Sequence, residues 1–191
     1  SLSHASGFSG VYAAVRDGNN NLKVITWRLS NDGRTLTRGA AASAGTVGSQ
    51  IAVAPLRQGV AAAVKDGEGR LRMLTWSVSS NGDIGARRGT YIAREVSEIS
   101  LVDTPHSESN LTAVVRNAEG DLQLIGYAIN DNGSNLRRVG SSVAGGASKI
   151  SAAGVSRSYP GNDPRDMILT SLRDGSGNLR LISWDTNLNN P

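Results

Sequence analysis

Cysteine is absent from the 191 residues. That excludes a disulfide scaffold, a thiolate-ligated zinc site and a thiol nucleophile. Histidine is nearly absent: His4 and His106 are the only two, too few for a His-rich metal centre. Aromatics are sparse, with three Trp, four Tyr and one Phe, and proline numbers five. No apolar run approaches the roughly 18 residues that a membrane helix needs. No phosphate loop, dinucleotide fingerprint or metal signature occurs either, so neither a cofactor nor a metal is expected. What the chain has in abundance is glycine, at 23 residues. Its hydrophobic share of 38% and charged share of 19% are ordinary for a folded globular domain. The composition favours a turn-rich, mostly β protein.

Twenty basic against sixteen acidic residues give a net charge of +4, and the positive charge is nearly all arginine, 17 Arg to 3 Lys. These cations are spread along the chain and form no run. A nucleic-acid binder gathers them on one stripe with aromatics between, so nucleic acid is not an expected partner. The sequence opens on Ser1 without an initiator Met or a signal peptide, as in a processed mature chain or an excised domain. Together with the lack of cysteine, this makes a secreted, extracellular location the expectation. Two sequons, Asn110-Leu111-Thr112 and Asn132-Gly133-Ser134, matter only in a eukaryotic secretory route.

The dominant feature is an internal repeat. Val15-Arg16-Asp17-Gly18 recurs as Val64-Lys65-Asp66-Gly67, as Val115-Arg116-Asn117-Ala118 and as Leu172-Arg173-Asp174-Gly175. From Asp17 to Asp66, Asn117 and Asp174 the successive offsets are 49, 51 and 57. Ten residues after each Asp or Asn stands an aromatic: Trp27, Trp76, Tyr127, Trp184. After the first three come polar turns, Asn31-Asp32-Gly33, Ser80-Asn81-Gly82 and Asp131-Asn132-Gly133, and then a basic strand marked by Arg38, Arg88 and Arg138. A Ser-x-Ile element follows at Ser49-Gln50-Ile51, Ser97-Glu98-Ile99 and Ser148-Lys149-Ile150, and Ser1-Leu2-Ser3 holds the same phase.

Each unit therefore holds four short strands parted by Gly, Asn and Asp turns, with no helical period. Four strands in about 50 residues is the blade of a β-propeller. The small-residue Ser-x-Ile strand suits the crowded centre of a ring and is assigned as innermost. The Val-Arg-Asp strand is second, the aromatic strand third and the Arg38-type strand outermost. The expectation is an all-β, four-bladed β-propeller forming a single domain, residues 1–191. Its blades are residues 1–46, 47–94, 95–145 and 146–191, the last lacking its outermost strand. The alternative is a fragment of a larger propeller.

This pattern resembles the β-propeller repeat proteins over the whole chain. Its size is similar to that of hemopexin-type domains, without their aromatic-rich motifs or closing Cys pair. Its repeat length is similar to that of tachylectin-like lectins, without their motif residues. The resemblance implies binding at a blade-lined face, between blades or in an axial channel.

Candidate binding residues follow from the repeat. Trp27, Trp76, Tyr127 and Trp184 are either packed between blades or platforms for a sugar's apolar face, which would give several equivalent sites. Arg16, Lys65, Arg116 and Arg173 place one cation per blade beside the turn acid. Either they pair with it, or they form a ring gripping an acidic glycan. The Asp17 and Asp174 turns have the alternating oxygens of a calcium loop, but Arg70 in the second copy would repel an ion, and a hairpin turn explains the residues equally well. The variable loops holding His106 and Tyr159 are further ligand candidates. Asp103, His106 and Ser107 share one loop, whereas triad members usually come from separate elements. The expected function is thus non-enzymatic carbohydrate binding by a lectin-like propeller, as an accessory module of a larger enzyme or alone. The alternatives are a protein-interaction scaffold and a small hydrolase with carboxylates at a channel mouth. The uncovered fourth-blade edge is expected either to be covered by the polar tail or to pair with a second chain in a homo-oligomer.

Overall fold

The computed structural model describes residues 1–5, 8–105, 110–157 and 165–186. The described residues contain thirteen strands and no helix: β1 (Leu2–His4), β2 (Gly10–Arg16), β3 (Asn21–Leu29), β4 (Leu36–Thr46), β5 (Ile51–Leu56), β6 (Gly59–Lys65), β7 (Arg70–Val78), β8 (Ile84–Asp103), β9 (Leu111–Asn117), β10 (Asp121–Ala128), β11 (Arg137–Arg157), β12 (Arg165–Asp174) and β13 (Leu179–Asp185). No helix among them is long and apolar enough to cross a membrane. Strands β1 to β4 form one sheet in chain order, and β5 to β13 are hydrogen-bonded in chain order as well. Neighbouring strands among the described residues pair antiparallel, as short hairpin connections require.

The two longest strands each serve two repeats. β11 pairs with β10 as far as Gly146 and with β12 from Ala147 onward. Likewise β8 lies beside β7 and meets β9 from Val96 onward. The fourth strand of one repeat thus runs straight into the first strand of the next. The changeover in β11 is a kink at Lys149, whose φ is 53°, beside a register shift between Ser148 and Ser151.

The four repeats share one register. Trp27 lies opposite Val11, Trp76 opposite Val60, Tyr127 opposite Leu111 and Trp184 opposite Ile168. The turn between second and third strands is also built alike. One side-chain oxygen, Oδ1 of Asp17, Asp66 or Asp174, accepts the N–H groups two and four residues on, at 2.9–3.0 Å. Asn117 does the same for the Asp121 N–H at 2.8 Å. The left-handed residue each turn needs is the fourth, Asn20, Gly69, Gly120 or Gly177. The glycine directly after the acid does not supply it.

The chain divides into two compact units: Ser1–Ala93 with Asn130–Leu136, and Arg94–Ile129 with Arg137–Pro191. In the first, Tyr12, Ala14, Leu22 and Val24 of repeat one pack with Val60, Ala62, Val64, Leu74 and Trp76 of repeat two. We call the face a repeat turns to its successor its forward face and the opposite one its backward face. In the second unit, Val114, Leu122 and Leu124 on the forward face of repeat three pack with Ile168, Leu172, Ile182 and Trp184 on the backward face of repeat four. Each fully buried Leu or Val here contributes roughly 1.5–3 kcal/mol over its exposed state.

A polar latch accompanies the apolar packing. The hydroxyl of Thr26 donates to the Gly82 carbonyl at 2.8 Å, and that of Thr75 to the Gly133 carbonyl at 2.6 Å. Each threonine precedes the repeated aromatic, and each acceptor is the turn glycine of the following repeat. Gly39 and Gly89 make room: a Cβ there would lie 2.6 Å from Thr26 Oγ1 or 2.7 Å from Thr75 Oγ1. The Thr75 latch explains why the Asn130–Leu136 turn belongs to the first unit.

Candidate functional site

The repeated aromatics do not share one environment. Trp76 is 2% exposed and Tyr127 0%, so neither offers a ring face to solvent in this arrangement. Both do the packing that a Trp or Tyr inside an apolar strand normally does. Trp27 and Trp184 are half-buried. The Trp184 indole Nε1–H donates to Thr170 Oγ1 at 3.0 Å, which fixes its ring within the sheet.

Aromatics and turn-side cations also lie apart. Arg16 pairs across the strands with Leu22, whereas Trp27 is five residues further along β3. At about 3.3 Å per residue they are some 17 Å apart along the sheet, so they cannot meet one sugar ring within a repeat. Nor do the cations expected beside the turn acids pair with them. Asp17 is met by Lys23 at 3.9 Å, and Asp66 by Arg70 at 3.0 Å. Arg16 and Arg173 are exposed. Arg116 is half-buried and donates from Nη1 to Ser97 Oγ at 3.2 Å.

The turn acids are committed to structure. Hydrogen bonds from the Asn21 and Asn19 N–H groups, with the Lys23 charge, hold the Asp17 carboxyl below its usual range. Burial of Asp66 acts to raise its pKa, but the backbone N–H and guanidinium of Arg70, with the Glu68 N–H, outweigh it, and the net shift is downward. With Oδ1 capping the turn, these loops have no converging oxygen set. No cluster of three metal-ligating side chains occurs among the described residues. The carboxylate of Glu98, in the Ser-x-Ile element, is likewise engaged, accepting the Ile150 N–H at 3.0 Å.

A second set of cations is better placed for recognition. Arg38 and Arg138 stand directly opposite Trp27 and Tyr127, on the fourth strand of their repeats. Arg38, Arg88 and Arg138 are all exposed. None of the three is in an ion pair among the described residues. Arg88 and Arg138 reach only neutral hydroxyls, on Ser77 and Ser141. His106 and Tyr159 lie outside the described residues. Of the sequons, Asn110 uses its amide to bridge both backbone groups of Ile129, a structural task.

Repeated antiparallel meanders packed face to face define an all-β, propeller-like fold. The sequence matches no family model and no curated protein. Among solved structures, the chain is similar to AofleA from Arthrobotrys oligospora, with a TM-score of 0.57 and 11% identity over 98% of this chain and 54% of that one. A variant of AofleA with three arginines replaced by alanine gives a TM-score of 0.60 and 12% identity, over 98% and 53%. The lectin SapL1, solved in complex with alpha methyl fucoside, gives 0.54 and 15%, over 96% and 64%. The chain thus spans between about half and two thirds of the length of the solved structures it matches.

Proposed function

We propose that the chain is a lectin-like propeller module of four consecutive blades that binds carbohydrate at repeated surface arginines and catalyses no reaction. The observation that carries this reading is the fold shared with SapL1, a lectin solved with a bound fucoside. The arginines we assign are Arg38, Arg88 and Arg138. A guanidinium without an anionic partner directs several rigid donors at sugar hydroxyls or at an acidic sugar's carboxylate. Three such positions on one scaffold give avidity without high affinity at any one of them. The aromatics are left out of this proposal: Trp76 and Tyr127 are buried, and the half-buried Trp27 and Trp184 lie on faces suited to packing. Arg16, Arg116 and Arg173 form a separate set at the other end of the strands. Export to the extracellular space fits such a role, and that location is part of the proposal.

A glycan array including fucosides, uronates and sialylated glycans tests it. We expect binding that falls at least several-fold on Arg138→Ala and on Arg88→Ala, with Arg173→Ala as the control of the other set. No binding on the array would overturn the carbohydrate reading. Binding lost on Arg173→Ala, but kept in the other two, would move the site to the turn end of the blades.

A further inference from the structure

The end repeats leave two apolar faces open, and their residues are the positional equivalents of buried ones. On the forward face of repeat four, Leu179 is 77% and Leu181 62% exposed. Their equivalents, Leu22 and Val24 in repeat one and Leu122 and Leu124 in repeat three, are each 0% exposed because a following repeat packs on them. On the backward face of repeat one, Val15 is 40% exposed and Trp27 half-buried, where their equivalents in repeat two, Val64 and Trp76, are buried. Leu169 beside the first face and Leu2 beside the second are exposed too.

The polar groups match as well. Ser183 holds the position of the latch donors Thr26 and Thr75. Gly33 holds that of the acceptors Gly82 and Gly133, and it is exposed where they are buried. In the first unit Arg28, one residue past the aromatic, pairs with Asp83, one residue past the turn glycine, at 3.3 Å. At the corresponding places the end faces carry Asp185 and Arg34, the same charge pair with its polarity reversed.

We propose that the forward face of repeat four docks on the backward face of repeat one in a second copy of this chain. The contact reproduces the packing between consecutive repeats: Leu179 and Leu181 cover Val15 and Trp27, Ser183 latches the Gly33 carbonyl, and Asp185 faces Arg34. It is heterologous, joining unlike faces, so each copy keeps one face of each kind for a further copy. This surface is the flat of the sheet, distinct from strand-to-strand pairing along the β13 edge.

Sedimentation velocity of the whole chain across a wide concentration range tests the proposal. We expect species larger than the monomer that grow with concentration and vanish on Leu181→Arg, with circular dichroism unchanged because the side chain is exposed. Asp185→Arg alone and Arg34→Asp alone should each abolish association through like charges. An equimolar mixture of these two variants should restore it, since both junctions in the mixture pair opposite charges. A chain monomeric at every concentration would overturn the proposal. So would association that persists in Leu181→Arg, or a mixture of the two charge variants that stays monomeric.

Discussion

Replacing Thr75 by Val removes one hydroxyl and almost nothing else. Valine keeps the β-branched shape that suits β7 and fills nearly the same space. The loss falls on the Gly133 carbonyl, which Thr75 Oγ1 reaches at 2.6 Å in a buried setting. Stranding a buried acceptor costs about 1–3 kcal/mol, more than the net worth of an ordinary hydrogen bond, because the carbonyl remains desolvated with no partner. Packing cannot relax to admit water cheaply: the Gly89 position lies 3.2 Å from the same carbonyl oxygen and 3.1 Å from Leu136 Cβ, measured from an ideal Cβ. For a chain of this length, each kcal/mol moves the melting temperature by roughly 2–4 °C. Guanidinium denaturation is the assay: the midpoint should fall with an unchanged slope, because the surface exposed on unfolding is the same. Thr37→Val, at an exposed site on β4, is the control and should stay within about 0.5 kcal/mol of the parent. If Thr75→Val also stays within that band, the latch contributes nothing and its role in holding the Asn130–Leu136 turn is wrong.

Two further outcomes are expected. Tyr12 is fully buried, its hydroxyl has no partner among the described residues, and burial pushes its pKa up to about 12. Tyr12→Phe removes an unpaired polar atom while keeping the edge-on contact with Phe8, 5.6 Å between centroids, so thermal stability should stay level or rise; a clear fall would mean the hydroxyl is bonded. The carboxyls of Asp17, Asp32 and Asp66 are held below their usual range, so they bind protons more weakly folded than unfolded. Their contribution is complete above the unfolded pKa of about 3.9 and is lost as pH falls through the lowered folded values. Denaturant midpoints should therefore drop on acidification below about pH 4, and less steeply in Asp66→Asn, since Asn117 caps the equivalent turn without titrating.

Much of the architecture was legible because local rules and the repeat agree. The strand order within each repeat follows from the turn residues. A two-residue hairpin would seat its positive φ at the glycine directly after the acid, Gly18, Gly67 or Gly175, but Asn20, Gly69 and Gly177 fill that role. The side-chain cap from the acid closes the turn two residues later than a two-residue hairpin would. The Thr latch was hidden inside what reads as an apolar run. Its signal was present: Thr26 and Thr75 sit at the same place, each followed 56 or 58 residues on by a turn glycine.

Exposure of the aromatics was not legible at all, for a physical reason. Repeat position fixes which face of the sheet a side chain occupies, while burial depends on whether another repeat covers that face. Trp27 and Trp76 have the same register on the preceding strand, opposite Val11 and Val60, yet only Trp76 has a preceding repeat packed on it in the first unit. Sequence equivalence therefore identifies what a residue can pack against and leaves open whether it does. The same logic separates the two kinds of repeated residue here. The aromatics lie on packing faces, so their repetition serves cohesion between neighbours, as in other nearest-neighbour repeat architectures. Arg38, Arg88 and Arg138 lie on the fourth strand of their repeats and are exposed in all three. Side chains that no neighbouring repeat buries are the ones free to take on the recognition proposed for these arginines.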